Sequence, residues 1–350
     1  MNPLTATSPL PLPAAGSAPA LPRPWLVADI GGTNARFGWL AEGQAHAQHV
    51  STLRAADHAG PAEAARAYLA GLAQALGPAF APPGAAAFAV ATAVGSDLIG
   101  LTNSGWVFSR AQTRQALNLA ELLILNDFEA LALSLPGLEG HQVRPIPSRA
   151  ATATAETPRG TLAVIGPGTG LGVAGLVPTR HGWAAIPGEG GHATLSAADD
   201  FESALLAAVR REHAHVSAER LLSGIGLPTL HRGVAAVLGV PAVTLTAGDI
   251  VDSALAGTDD VCSRTVDTFC ALLGSFAGNV ALVLGARGGM YIGGGIVPRL
   301  GERFFESAFR ERFEAKGRFQ AYLQAIPTAL ITDTLAALGG AKLALEQHSG

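Results

Sequence analysis

The chain has 350 residues, more than one unit of ~150 residues, which excludes a single small binding module and predicts two domains with ample core. Hydrophobic residues make up 49% and charged residues 14%, well below the ~25% charged of an average soluble domain, so disorder cannot describe the bulk of the chain. With 23 Lys and Arg against 27 Asp and Glu, the net charge is −4 without charged blocks. That balance counts against nucleic acid or an anionic membrane surface as partner, since both need a cationic face.

Residues 1–24 are Pro- and Ala-rich, with Arg23 as their sole charge, and are expected to form a disordered tail without signal-peptide features. From Trp25 the pattern changes: WLVAD is strand-like, GGTN is turn chemistry and ARFGWL is strand-like again. Apolar side chains at helical spacing over 61–76, opened by Pro61, predict a helix, and 85–93 predicts a buried strand. ELLILNDFEALALSLP predicts a strand to Leu125 and a helix opening near Asp127, whose carboxylate can cap it, stopping at Pro136. A Thr/Ala/Ser-rich stretch, 148–160, precedes a second strand-turn-strand over 161–177, which repeats the first and suggests duplicated α/β domains. The following 150 or so residues read as mainly helical, including ERFFESAFRERF, with a strand-like GGMYIGGGIV.

Cys262 and Cys270 are too few for a disulfide framework and read as core residues, which suits a reducing cytoplasm. Thr268 to Ala286 is an uncharged 19-residue run with Gly274 and Gly278 at G-x-x-x-G spacing, a pattern shared with spanning helices. Asn279 and Ser275 in its middle, and the lack of a basic bias on one side, predict a buried helix and no membrane association.

Two glycine-rich turns could cradle phosphate through backbone amides. The only lysines, Lys316 and Lys342, follow no glycine-rich loop, so neither a Walker A motif nor a protein-kinase lysine can be built. A G-x-G-x-x-G match at Gly170 to Gly175 is followed by strand-like residues, so pyrophosphate would meet no helix N-terminus. At Asp29-Ile30-Gly31-Gly32-Thr33-Asn34 an acid ends a strand beside a turn. Mg²⁺ between Asp29, directly or through water, and nucleotide phosphates is one reading; Asp29 capping its own turn is the other. Asn126-Asp127 is either a helix cap or a general base with a neighbouring hydroxyl-binding amide. Glu189 and His192, in PGEGGH, could ligate a metal with His181 or His213, but the intervening glycines favour an extended loop that hydrogen-bonds a polyol. His213 and His215 read as solvent-facing, without a role.

Taken in order, VADIGGTNARFG (27–38), LTNSGW (101–106), LNDFEALA (125–132), GPGTGLGVA (166–174), IPGEGGHA (186–193), HVSAERLLSGIGL (215–227), GNVALVLGARGGMYIGGGIVPR (278–299) and FEAKGRFQAYL (313–323) resemble the bacterial ATP-dependent glucokinases, of the sugar kinase, actin and Hsp70-like ATPase superfamily. The resemblance runs from about Trp25 to about Gly340. It implies an α/β, two-domain ribonuclease H-like (actin-like ATPase) fold with a cleft between a small lobe, 25–137 completed by a C-terminal helix over 334–350, and a larger lobe, 138–333. It implies transfer of the γ-phosphoryl of ATP, with Mg²⁺, to the 6-hydroxyl of glucose, the first step of glycolysis, and leaves a homodimer open.

For residues, the resemblance implies a first phosphate loop of Ala28, Asp29, Ile30, Gly31, Gly32 and Thr33, a second around Gly168, Thr169 and Gly170, and an adenosine wall of Gly293, Gly294 and Gly295. Asp127 is implied as the base for the sugar 6-hydroxyl, with Asn126, Glu189, His192, Glu219 and Asn103 on the other hydroxyls. The Cys-rich zinc motif of the related repressor/ORF/kinase sugar kinases is absent. Two other readings stand beside this one: a kinase for mannose or fructose, and a non-catalytic nucleotide-gated interaction protein.

Overall fold

The computed structural model describes residues 21–92, 94–101, 105–148 and 160–348. Strands β1 (Trp25–Ile30), β2 (Asn34–Leu40), β3 (Gln48–Arg54) and β4 (Ala85–Val90) begin the chain, followed by β5 (Leu98–Gly100), β6 (Val107–Ser109) and β7 (Glu121–Asn126). Strands β8 (Val143–Pro145), β9 (Leu162–Pro167), β10 (Leu171–Thr179), β11 (Gly182–Gly188), β12 (Gly289–Ile292) and β13 (Thr328–Ile331) complete the set. They form a five-stranded sheet ordered β3-β2-β1-β4-β7, a six-stranded sheet ordered β11-β10-β9-β12-β13-β8, and a separate β5-β6 ribbon. In each large sheet an antiparallel three-strand meander continues into parallel strands, β1-β4-β7 in one and β9-β12-β13 in the other. The duplication suggested by the two hairpins is thus present in the sheet order.

Local chemistry explains the predicted elements. The helix Pro61–Leu76 begins at its proline, where a missing N–H costs nothing. β4 is buried along its whole length, as expected of a parallel strand covered on both faces. ERFFESAFRERF is not one helix. It breaks into Glu302–Glu306 and Phe309–Glu314, because the Ser307 hydroxyl accepts from the Phe309 amide (3.2 Å) and restarts the chain.

All but the last two residues of the apolar run lie in the helix Asp260–Leu284, whose most apolar 18-residue stretch has mean hydropathy 1.6 and is mostly buried. A Cβ at Gly274 or Gly278 would lie 2.1 Å from the Phe309 carbonyl oxygen or 2.5 Å from that of Phe313. The small residues therefore admit the backbone of the helix Phe309–Glu314, a close packing inside this lobe. Cys262 and Cys270 are buried as expected, and burial pushes their thiols up to about 11 and about 12.

Between the two large sheets lie two stacked helices. Asp127–Ser134 packs against β9, β10 and β11, Ala336–His348 packs against β1 and β4, and the two helices pack on one another. Their side chains join residues of both sheets in one apolar cluster, including Val27, Ala87, Leu133, Val164, Leu176 and Leu345. The tail boundary expected at Pro24 needs correction. Leu21 packs against this cluster, and Arg23 donates to the Ala41 carbonyl (3.1 Å) and lies over the Trp25 ring. Apolar burial and a cation over an aromatic face anchor residues 21–24.

Candidate active site

β1 buries Ala28 and Ile30 and leaves the Asp29 carboxylate partly open at the strand end. The next turn closes through the Gly31 amide, which donates to the Asn34 carbonyl (2.9 Å), while among the described residues the amides of Gly32 and Thr33 have no protein acceptor. Arg36, directly across from Asp29 on β2, brings Nη1 to 3.4 Å from Asp29 Oδ2 and donates to the Thr334 carbonyl (3.0 Å). Burial raises the pKa of Asp29 above the ordinary carboxylate value, and the guanidinium opposes that rise.

The second turn joins β9 to β10. Gly168 donates to the Gly170 carbonyl (2.9 Å), while the carbonyls of Gly168 and Thr169 accept from Gly224 (2.8 Å) and Ile225 (3.4 Å). With those carbonyls committed, the amides of Thr169 and Gly170 have no protein acceptor among the described residues, the arrangement of an anion-binding concavity. Gly293 donates to the Ile165 carbonyl (2.8 Å), and a Cβ at Gly294 would lie 2.4 Å from the Pro167 oxygen, so the Gly293–Gly295 turn rests against the second turn.

On the acceptor side the expected cap is corrected by one residue. Asn126, not Asp127, is the N-cap: its Oδ1 accepts from the amides of Phe128 (2.9 Å) and Glu129 (3.3 Å), and its Nδ2 donates to the Thr92 carbonyl (3.1 Å). Asn126 ends β7 with extended backbone, the conformation that an N-cap needs, whereas Asp127 is already helical. Glu129 reaches back to the Asn126 amide (3.4 Å) and closes a capping box. The Asp127 carboxylate, freed from capping, accepts from the Phe128 amide (2.9 Å). Burial pushes it up to about 6, and the negative charge of Asp29 adds to the rise. Two carboxylates near enough for the charge of Asp29 to act on Asp127 suit a divalent cation beside Asp29.

The remaining polar residues meet near the end of β11 and the start of β10. His192 Nε2 stands 4.0 Å from Glu189 Oε2 and 3.8 Å from Glu219 Oε1. Glu219 lies in the first turn of the short helix Ala218–Leu221, capped by Ser217, and its Oε2 accepts from the Leu171 amide (2.8 Å) at the end of the second turn. Glu189 and His192 are about two-thirds exposed and Glu219 about one-quarter exposed, so open polar groups surround an anchored one. This suits hydroxyl recognition better than ligation with His181 or His213. His213, expected at the surface, is half-buried with Nε2 unpaired; His215 is exposed and pairs with Thr194 Oγ1 (3.0 Å). Asn103 lies outside the described residues.

Three residues beside the site escaped the sequence reading. Arg36 stands within the first motif, and an acid buried at a turn is itself a signal for a cation. Glu129 was legible as an N-x-x-E capping box. Phe128 bridges the helix to β9 and β10, a contact with no local signature.

The glucokinase family profile matches residues 26–348. The chain is 46% identical over 323 residues to the glucokinase of Aromatoleum aromaticum, covering 92% of this chain and 95% of that one. It is 48% identical over 316 residues to the glucokinase of Paramagnetospirillum magneticum, covering 90% and 95%. A crystal structure of glucokinase from an Antarctic psychrotroph superimposes with TM-score 0.83 at 40% identity, covering 92% of this chain and 98% of that one.

Proposed function

The chain belongs to the glucokinase family, and from that premise we propose which residues carry its reaction. The protein is an ATP-dependent hexose kinase that passes the γ-phosphoryl group of ATP to the 6-hydroxyl of glucose, giving glucose 6-phosphate and ADP. Its fold is that of the actin-like ATPases, and we divide it into a small lobe of residues 25–137 with the C-terminal segment from 334, which carries the helix Ala336–His348, and a larger lobe of 138–333.

Asp127 carries the reading. A carboxylate with a pKa of about 6 is largely ionised at neutral pH, yet is a stronger base than an exposed aspartate, which suits acceptance of the 6-hydroxyl proton. Phosphoryl transfer through a loose transition state asks chiefly for alignment and charge stabilisation. The amides of Gly32, Thr33, Thr169 and Gly170 supply donors for phosphate oxygens, and the Gly293–Gly295 turn supplies the surface for adenosine. Asp29 would hold Mg²⁺, directly or through water, whose charge would offset that of the phosphates. Glu189, His192 and Glu219 hold the other sugar hydroxyls, with Asn103 and the second Nδ2 hydrogen of Asn126. Two buried free thiols and ATP as donor suit the cytoplasm.

ATP turnover measured with glucose, mannose and fructose tests the substrate, with glucose expected to show the highest kcat/KM; a higher value for another hexose would overturn glucose as the main substrate. Asp127→Asn is expected to stay folded, bind glucose and lose kcat by ~10²-fold or more. Undiminished kcat would remove Asp127 as the base.

A further inference from the structure

We propose that Phe128 is a positioning residue that fixes the Asp127 carboxylate relative to the second phosphate turn. The inference rests on Asp127 as the base. Its amide donates to Asp127 Oδ1 and to Asn126 Oδ1, both at 2.9 Å, so one N–H ties the reacting carboxylate to the helix cap. Its ring lies against Gly166 and Gly172, which face one another across β9 and β10 immediately before and after the turn. A Cβ at Gly172 would fall 2.0 Å from Phe128 Cδ2, and one at Gly166 would fall 2.6 Å from Cζ. No side chain larger than hydrogen fits at either position with the ring in place. Asn126 belongs to the small-lobe sheet through β7, but the helix after it packs on the larger lobe's β9, β10 and β11. Phe128 is thus where the base is held to the lobe that carries the turn 168–170 and, through the Leu171 amide, Glu219.

Misplacing a reacting group by about 1 Å costs on the order of 10²-fold in rate. Phe128→Ala is therefore expected to lower kcat by ~10- to 100-fold, while the glucose Kd without nucleotide stays within about twofold, too small a change for a lost hydrogen bond. Phe128→Leu, which refills part of the socket, should recover part of kcat. Gly172→Ala, whose methyl must push the ring away, should lower kcat on its own. In Phe128→Ala/Gly172→Ala the two losses should not add, because both act on one contact. The Leu and Gly172 variants carry the test if Phe128→Ala fails to fold. Undiminished kcat in Phe128→Ala, additive losses in the pair, or kcat and glucose affinity falling together in step with Tm would overturn the proposal. Asp127→Asn measured alongside separates the two readings: its retained kcat removes the base, whereas its loss beside an unimpaired Phe128→Ala removes only the clamp.

Discussion

A buried carboxylate, as Asp127 is in its proposed role of base, carries a stability cost. The Asp127 pKa is about 6 in the folded protein against an ordinary 3.8, so between those values the folded state holds a proton that the unfolded state has lost. Stability from this group is present at low pH and is lost as pH rises through about 6. At pH 7 that rise corresponds to at most ~3 kcal/mol, so Asp127→Asn should raise Tm by several degrees while removing activity. Activity runs the other way: kcat/KM should climb with pH along a limb centred near 6. Because the charge of Asp29 acts on Asp127, that apparent value belongs to the pair. A pH–rate profile without an acid limb between about 5 and 7, or a Tm lowered by the amide, would contradict this.

The residues proposed to hold the sugar are separable by their anchoring. Glu189→Gln and His192→Ala should each weaken glucose binding by roughly 10- to 100-fold, the range for a lost hydrogen bond involving a charged group, and leave the KM for ATP nearly unchanged. Glu219→Ala should raise both, since its carboxylate also holds the Leu171 amide of the second turn. Titration calorimetry with glucose and initial rates against ATP distinguish the cases. Equal effects of all three variants on ATP would refute the division.

Among the elements, the paired helices between the sheets are the most demanding contact. Gly340 lies so near Ala130 that an added Cβ would stand 1.6 Å from the Ala130 carbonyl oxygen. Gly340→Ala must force the helices apart and should cost ~1–3 kcal/mol, as overpacking does, visible as an earlier denaturant midpoint. An unchanged midpoint would mean that the helices separate without penalty. Most elements were legible because their signals are local. Pro61 opens its helix and the strand-like runs on either side of GGTN give β1 and β2. ERFFESAFRERF misled because its apolar spacing continues through Ser307, where a side-chain hydrogen bond interrupts the backbone ladder.

For the whole molecule, the chain crosses between the sheets twice, and the crossings are tied together. Gln142 Nε2 donates to Asp333 Oδ2 (2.5 Å), and the Gln142 carbonyl accepts from the Thr332 amide (2.8 Å). A fixed pair of crossings beside two sheets suits rotation of one lobe against the other, with Arg36 joining the first turn to Thr334 at the second crossing. Glucose touching both lobes would favour the closed arrangement by its differential contact energy, and closure would exclude water as a competing acceptor. Saturating glucose without ATP should therefore reduce the radius of gyration in small-angle scattering and slow proteolysis between the lobes. No change in either would remove sugar-driven closure.

By itself the sequence determined the α/β class, the two duplicated hairpins and the glycine-rich turns, and its resemblance to a family supplied the site residues proposed above. These depend on period-2 and period-3.6 patterns, on turn chemistry and on motifs that stay within a dozen or so neighbours. Only the tertiary structure decided that Asn126 rather than Asp127 caps the helix, that Glu219 joins His192 across 27 positions of sequence, and that the Phe128 ring fills a glycine socket. Those outcomes depend on burial and on contacts between elements remote in the chain. The raised pKa of Asp127 has the same origin, because desolvation is a property of the assembled fold and not of any stretch of residues.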